Sequence, residues 1–493
     1  MNFSQLLQNS GVGLLGRGGD GDPQITDIVY DSRRVKPGAL YVAVPGLKSH
    51  GDGFIQQALQ AGAVAVVSEN SHEELSVPWA MVSNVRAALG ILGHTLWKVD
   101  LSSLATVGIT GTNGKTTTAF LYKKLFDAFL GEEWSWMFGT VEFRLGRESS
   151  QATHTTPEAL DIYRMIGTAS RKPKGLVMEV SSHSLILQRV AGMKYDVAVW
   201  TNLTQDHLDF HGTMEDYYQA KKNLFSHYLK QGGAGVINID DHYGRRLYQE
   251  LADEETIVTY GRSEDAHVRI SDYRCDWDGC TVELVIDGRT QRYSSILNGF
   301  FNIYNMTAMA AGAVALKINP SVVQNAFSLI ETVPGRMDKV QIDSPFTVII
   351  DYAHTPDALI NVLKTSRTLT QGKLISVFGC GGDRDRSKRP LMAQAVVNNC
   401  DEAVVTSDNP RSEKPETIIN DVLKGIPLDF PHTVIVDRFE AIRCALRSAR
   451  EGDCIVIAGK GHETYQEVNG VRHHFNDKEI VEQLYSEMEK ESR

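Results

Sequence analysis

Long apolar runs are missing from this 493-residue chain. None approaches the ~18 residues that a membrane-crossing helix needs, so no membrane span is expected. The first residues, MNFSQLLQNSGVG, have neither the basic start nor the apolar core of a secretory leader, which predicts a cytoplasmic protein. An excess of basic residues is missing too. The formal net charge is −11, which argues against general affinity for nucleic acid or anionic membrane. It does not exclude an anionic substrate, because local lysines and arginines decide that. Cysteine is sparse, with six residues and no C-x-x-C. Cys275 and Cys280 could form half of a zinc site, but no second Cys/His pair lies near them, so reduced thiols are the expectation. Internal repeats and low-complexity linkers are absent as well.

What is present divides into three parts, as the length suggests at about 150 residues per domain. Residues 1 to about 100 alternate short apolar runs (Leu40–Val44, Val64–Val67) with helical patterns such as Phe54–Ala61, a small α/β unit. The glycine-rich GRGGDGD near residue 20 reads as a loop. From Leu104 the pattern becomes strand, loop, helix, repeated. LATVGIT, GLVMEV, VAVWTN and AGVINI read as buried parallel strands of a doubly wound domain. VPGRM at Val333–Met337 marks a boundary, and beyond it FTVIID, LISVFG, EAVVTS, TVIVD and CIVIAG begin a second α/β series. Their polar or glycine-rich loops fall at the strand ends where open α/β sheets build binding sites. The domains are placed at 1–102, 103–334 and 335–493.

The stretch VGITGTNGKTTTAF is built to hold phosphate. Backbone N–H groups of Gly111, Thr112, Asn113 and Gly114, with the helix start at Thr117, would face the anion. Lys115 would reach the terminal phosphates and the Thr116 hydroxyl would ligate Mg²⁺. The spacing departs from G-x-x-x-x-G-K-[ST], since position 109 is Ile and glycines stand at 108, 111 and 114. Such a loop serves kinases, switches, motors and ligases alike, so the reaction must be read elsewhere. Glu179, at the end of GLVMEV, is well placed for Mg²⁺, although a buried acid in a structural ion pair is the plainer alternative. His207 and His211 stand four apart, but the glutamate of H-E-x-x-H is missing. His207 reads as a possible second metal ligand and His211 as structural. Lys221 and Lys222 in YYQAKKNLF would pass for two solvated lysines.

Taken in order, GTNGKTT, MEVSSHS, TNLTQDHLDFHG, YYQAKKNLF, FNIYN, PGRM, DYAHTPDAL, GCGGDRDRSKRP, DNPR and AGKGHE resemble the Mur ligase family, ATP-dependent amide-forming enzymes of peptidoglycan synthesis. Within it, the segment from DSRRVKPGALYVAV to Tyr465 resembles the branch that adds meso-diaminopimelate. The resemblance implies a domain for the UDP end of the substrate, a P-loop ATPase domain and a Rossmann-like C-terminal domain. It also implies the chemistry. ATP would phosphorylate the D-Glu γ-carboxylate of a UDP-N-acetylmuramoyl dipeptide, and an amine of diaminopimelate would attack the acyl phosphate. We expect a monomer.

The same resemblance assigns residues. Thr116 and Glu179 match the first Mg²⁺ site and His207 the second. Lys221 falls on a lysine carbamylated in the family (N6-carboxylysine). Asn302, Asn305, Arg336, Asp351 and His354 match residues around ATP. Tyr30, Ser32, Leu47, Lys48, Ser49, Thr155, Thr156, Ser181 and Arg189 match contacts to the UDP-linked substrate. Leu187 replaces a polar residue of some relatives and is left out. Arg384, Asp408, Asn409, Pro410, Arg411, Gly459 and Glu463 match contacts to the amino acid. Diaminopimelate differs from lysine by a carboxylate at its far end, and the planar fork of Arg411 suits that group. The alternatives are a folylpolyglutamate synthase, a lysine-adding Mur ligase, or a P-loop kinase or switch.

Overall fold

The structure is a computed structural model that describes residues 1–46, 50–152, 154–253 and 255–491. Among the described residues three large sheets carry it, one to each domain, and a two-stranded hairpin, Tyr465–Val468 with Val471–His474, belongs to the last. The first is five-stranded, in the order Leu14–Gly18, Trp79–Val82, Ala63–Ser68, Ala39–Val42, Asp27–Val29. Its first strand runs antiparallel to Trp79–Val82 and the others are parallel. The expected loop at GRGGDGD therefore starts late. Gly16, Arg17 and Gly18 pair with Trp79–Met81, and Trp79 fills the space a side chain on Gly18 would need.

The central sheet has eleven strands. Ala105–Thr110 lies in its middle, flanked in parallel by Gly175–Glu179 and Tyr195–Trp200. The four expected parallel strands are all there. Their alternation places Val107, Ile109 and Val177 in one core with the helices Lys115–Leu130 and Phe300–Ala315. Leu176, Met178, Ala198 and Trp200 fill the opposite core with Ala159–Thr168 and Met214–Tyr228. This period of two, with both faces covered, is why the strands read as continuous apolar runs.

Both edges of that sheet are antiparallel, which the sequence pattern does not announce. Glu142–Leu145 and Glu148–Gln151 form a hairpin at one edge, and Val268–Asp276, Gly279–Ile286 and Arg289–Ser295 a meander at the other. These strands are half-wet: Gly279–Ile286 buries every second side chain. The meander also corrects the cysteine expectation. Cys275 and Cys280 face each other across two strands and form a disulfide, while Cys380, Cys400, Cys444 and Cys454 are free thiols.

The third sheet is six-stranded, in the order Asp338–Lys339, Thr347–Asp351, Cys454–Ala458, Leu374–Phe378, Glu402–Val405, His432–Val434, parallel except at its first strand. The carboxyl ends of these strands and of the central ones face each other. Among the described residues no helix is long and apolar enough to cross a membrane.

Candidate active site

Strand Ala105–Thr110 delivers the chain into the phosphate loop, and helix Lys115–Leu130 leaves it. Glycine is required at both ends of the turn. Gly111 has φ +149° and Gly114 φ +86°, and a Cβ on Gly114 would lie 2.6 Å from Asn305 Oδ1. The loop is clasped from behind by the segment after strand Tyr195–Trp200. Asn202 O accepts from Thr112 N at 2.9 Å and Asn202 Oδ1 from Asn113 N at 2.9 Å. Thr204 N in turn donates to Thr112 Oγ1 at 3.0 Å.

Lys115 points back into this loop, donating to Gly111 O and Thr112 O, both at 2.9 Å. Lys221, only 1% exposed, donates to the same Gly111 carbonyl at 2.8 Å and lies over the Tyr217 ring. Burial, and then the neighbouring Lys115, hold the Lys221 amine well below the usual lysine range. Lys222 behaves as the bland reading expects, paired with Glu250 at 2.8 Å.

The Glu179 carboxylate is the anionic centre of the loop. It accepts from Thr116 Oγ1 at 3.1 Å, from Thr140 N at 2.7 Å and from Thr140 Oγ1 at 3.0 Å. The ion-pair alternative is not what the structure shows, since no cation pairs with it among the described residues. Thr140 was missed from sequence. Its signal was available: it follows strand Ser135–Phe138, the parallel neighbour of Gly175–Glu179. Thr140 Oγ1 also reaches Thr155 Oγ1 at 3.2 Å.

Arg336, from the VPGRM turn, joins from the side. Its Nη2 donates to Thr116 Oγ1 at 3.2 Å, its guanidinium lies over Tyr352, and its Nε has no hydrogen-bond partner. Asp351 holds that turn, accepting from Met337 N and Ala353 N, both at 2.8 Å. Asn302 and Asn305 are buried in a chain of side-chain amides, Asn305 Nδ2 to Asn302 Oδ1 at 2.8 Å and Asn302 Nδ2 to Asn298 O at 2.7 Å. Both lie in helix Phe300–Ala315, whose N-cap is Gly299.

Lys115, Thr116, Thr140, Glu179, Asn305, Arg336 and Asp351 line a cavity of about 500 Å³, running from Thr112–Thr117 past Glu179 to Asp351 and His354, while Lys221 and Asn302 lie behind its wall. A second cavity of about 600 Å³ adjoins it, and the two share Asp206, His207, Tyr352, His354 and Thr355. His207, in a left-handed conformation, sets its Nε2 3.3 Å from Asp206 Oδ2, and burial holds its ring neutral. His211 is structural, its Nε2 2.9 Å from Ser182 Oγ and its pKa pushed down to about 4 by burial.

The far side of the second cavity comes from the C-terminal sheet. Asn409 is locked from three directions. Its amide donates to Glu463 Oε2 at 2.7 Å, and its Oδ1 accepts from Glu467 N at 2.9 Å and Lys460 Nζ at 3.1 Å. Glu463 is raised in pKa by burial and by Asp408. Gly459 (φ +115°) stands where a Cβ would collide with the Asp408 carboxylate. Pro410 is buried, with its carbonyl packed against Gly382. Arg411 takes a left-handed backbone (φ +53°) and donates from Nη1 to Gly382 O at 2.7 Å. Neither Asp408 nor Glu413 braces it: Glu413 pairs with Arg389 at 2.8 Å and Arg386 at 2.9 Å. Arg384 is exposed and donates to Asp383 O at 3.0 Å.

The residues expected to meet the UDP-linked substrate make separate local contacts in the first two domains. Tyr30 OH donates to Asp161 Oδ2 at 2.7 Å, and Ser32 Oγ to Gln57 Oε1 at 2.9 Å. Thr156 Oγ1 donates to the Glu179 carbonyl at 2.8 Å, and Ser181 caps helix Ser182–Ile186. Arg189 lies 3.3 Å from Glu158, which Arg86 also approaches. Arg86 and Glu158 were not expected; Arg86 also holds the carbonyl of Pro45 at 2.8 Å. Leu47, Lys48 and Ser49 lie outside the described residues.

Among the described residues no three His, Cys, Asp or Glu side chains converge as a metal cage. What Glu179, Thr116 and Thr140 offer is one carboxylate with two hydroxyls, hard oxygen donors beside a phosphate loop. That set fits Mg²⁺, which takes one or two protein oxygens and completes its shell from phosphate and water.

Three family matches cover most of the chain: Mur ligase family, catalytic domain, at residues 24–94; Mur ligase middle domain at 109–315; and Mur ligase, glutamate ligase domain, at 335–461. A protein of Solibacter usitatus named UDP-N-acetylmuramoyl-L-alanyl-D-glutamate–2,6-diaminopimelate ligase is 43% identical over 472 residues, covering 94% of this chain and 93% of that protein. One of Aquifex aeolicus with the same name is 42% identical over 463 residues, covering 94% of each. A solved structure titled as that ligase superposes with a TM-score of 0.67 at 35% identity, covering 94% of this chain and 95% of the other. A MurF ligase of Thermotoga maritima in complex with ADP shares the fold, with a TM-score of 0.64 at 19% identity, covering 95% and 98%. With these matches running through all three domains, the chain belongs to the Mur ligase family.

Proposed function

We propose that this protein is an ATP-dependent amide ligase that joins meso-2,6-diaminopimelate to the D-Glu γ-carboxylate of UDP-N-acetylmuramoyl-L-Ala-D-Glu, for peptidoglycan precursor synthesis in the cytoplasm. The supporting observation is the pair of adjoining cavities. One is floored by the phosphate loop and the other by the Asn409–Arg411 and Gly459–Glu463 loops, and they meet at His207 and His354. A switch has no use for the second cavity, and a kinase, which stops at the phosphorylated product, has no use for a site that holds a separate amine. We take 1–102 as the unit for the UDP end, 103–334 for ATP and 335–493 for the amino acid.

In this reading Lys115 leaves the carbonyls of Gly111 and Thr112 and pairs with the terminal phosphates of ATP. Arg336, already at Thr116 and with Nε unpartnered, supplies a second cation from the side. Glu179, Thr116 and Thr140 would hold Mg²⁺, which supplies charge neutralisation between carboxylate and triphosphate. His207 and a carbamate on Lys221 would complete a second metal site. The Lys221 amine is buried and held below its usual range, which makes its CO₂-reactive form easier to reach than in an exposed lysine. Phosphorylation turns the γ-carboxylate, a poor electrophile, into an acyl phosphate. The amine of the amino acid reaches it across the His207–His354 boundary. Asn409 and Glu463 orient the near end of the amino acid, and Arg411 with Arg384 receives its far carboxylate. Thr155, Thr156, Ser181, Arg189, Tyr30 and Ser32 hold the UDP-linked substrate.

Phosphate release from ATP tests this reading. It should require the UDP-linked dipeptide and the amino acid together; release with either alone at the full rate would replace the ligase by a hydrolase or kinase.

A further inference from the structure

Asp357 is absent from every site assignment above, yet it makes the closest polar bridge between the C-terminal domain and the nucleotide loop. It lies in the first turn of helix Pro356–Leu369, whose N-cap is Thr355. Its Oδ2 accepts from Asn113 Nδ2 at 2.7 Å and from Thr204 Oγ1 at 3.0 Å. These donors come from 244 and 153 residues upstream, in two different segments of the central domain. Asn361, one turn on, adds a longer contact at 3.4 Å. No cation pairs with Asp357 among the described residues, so neutral donors alone satisfy this half-buried carboxylate.

An acid in a first helical turn gains from the helix dipole. That role does not call for collecting donors from another domain. The donors themselves are fixed. Asn113 is held through its backbone by Asn202 and Thr201, and Thr204 is tied to Thr112. Asp357 thus meets a rigid corner of the nucleotide loop. It also lines the amino-acid cavity, while Asn113 lines the ATP cavity.

We propose that Asp357 is a positioning residue that latches the C-terminal domain onto the nucleotide loop, keeping the amino-acid cavity in register with the ATP cavity. Its kinetic consequence rests on the ligase reading; its structural consequence does not. Without the latch the C-terminal domain spends less time docked, so the amino acid it carries is presented less often. The UDP-linked substrate, held between the first two domains, is unaffected.

The test uses full-length protein with fluorophores on the central and C-terminal domains, and compares wild type, Asp357→Ala, Thr204→Val and the double variant by single-molecule energy transfer. Asp357→Ala should shift molecules toward a longer interdomain distance. Thr204→Val should shift fewer, and the double variant should match Asp357→Ala alone, because both remove one interaction. In turnover, Asp357→Ala, which loses both charge-assisted hydrogen bonds, should raise KM for the amino acid by about ten-fold or more, with KM for the UDP-linked dipeptide unchanged. Asp357→Asn, which keeps an accepting oxygen, should recover most of that loss. Unchanged distances in both single variants, or strictly additive shifts, would overturn the latch whether or not the ligase assay succeeds. Equal rises in both KM values would assign Asp357 a general structural role instead.

Discussion

The two adjoining cavities treat their cations differently. Around the phosphate loop the lysines turn inward: Lys115, which lines the first cavity, and Lys221, buried behind it, both donate to Gly111 O, and the hydroxyls of Thr116 and Thr140 converge on Glu179. In the second cavity the framework is locked by Asn409, Lys460 and Glu463, while the guanidiniums of Arg411 and Arg384 each make one hydrogen bond, to a backbone carbonyl, and no ion pair among the described residues. The phosphate loop must therefore exchange internal contacts for ligand contacts, a rearrangement that ATP can drive. On the proposed reading the second cavity presents arginines ready to accept a carboxylate. The first arrangement suits catalysis, in which charge moves; the second suits selection, in which a fixed charge is read.

Substitutions can break this contrast. Lys115→Ala should cost the most, more than ~10²-fold in kcat, because preorganised charge on a transferring phosphoryl group is the dominant catalytic term. Steady-state kinetics check it, and a variant that retains most of its activity would take the phosphate loop out of the reaction. Lys221→Ala should come next, crippling turnover while leaving the melting curve intact, with partial rescue by a short carboxylic acid added in solution. A variant with near-normal kinetics would remove the carbamate from the account. Arg411→Ala should weaken diaminopimelate by ~2–5 kcal/mol, the penalty for leaving a buried carboxylate unpaired. Competition between diaminopimelate and lysine reads this, and unchanged discrimination would move the choice to Arg384. Thr140→Val should cost about 1 kcal/mol in kcat/KM, since the backbone N–H of residue 140 still holds Glu179. The smallest effect should be that of Lys222→Ala, whose exposed pair with Glu250 is worth at most about 1 kcal/mol of stability. A large activity loss there would mean that the wrong lysine of the pair had been assigned.

The neighbouring pair Lys221 and Lys222 also shows what the sequence could and could not disclose. Nothing in YYQAKKNLF separates them; only the packing of helix Met214–Tyr228 buries one and leaves the other at the surface. The parallel strands were legible because both faces are covered, so their apolar runs are unbroken. The antiparallel meander Val268–Ser295 was not, because one wet face interrupts its apolar pattern with Asp272, Arg274 and Asp276. Its disulfide was hidden with it, since Cys275 and Cys280 become partners only once the hairpin register is known. Side chains at or just past the carboxyl end of a strand, such as Glu179 and the Asn409 loop, could be placed in the fold from sequence. Arg86 and Asp357 could not, because each acts through a contact set by domain docking; Thr140, which also follows a strand, was overlooked although its position was readable.

Product identity tests the central claim most directly. Wild-type protein would be incubated with ATP, Mg²⁺, the UDP-N-acetylmuramoyl dipeptide and equal amounts of meso-diaminopimelate and L-lysine, and the nucleotide product weighed by mass spectrometry. The account predicts a single product heavier by diaminopimelate less one water, formed one for one with ADP and phosphate. A lysine adduct in equal amount, or phosphate release with no amide formed, would contradict it.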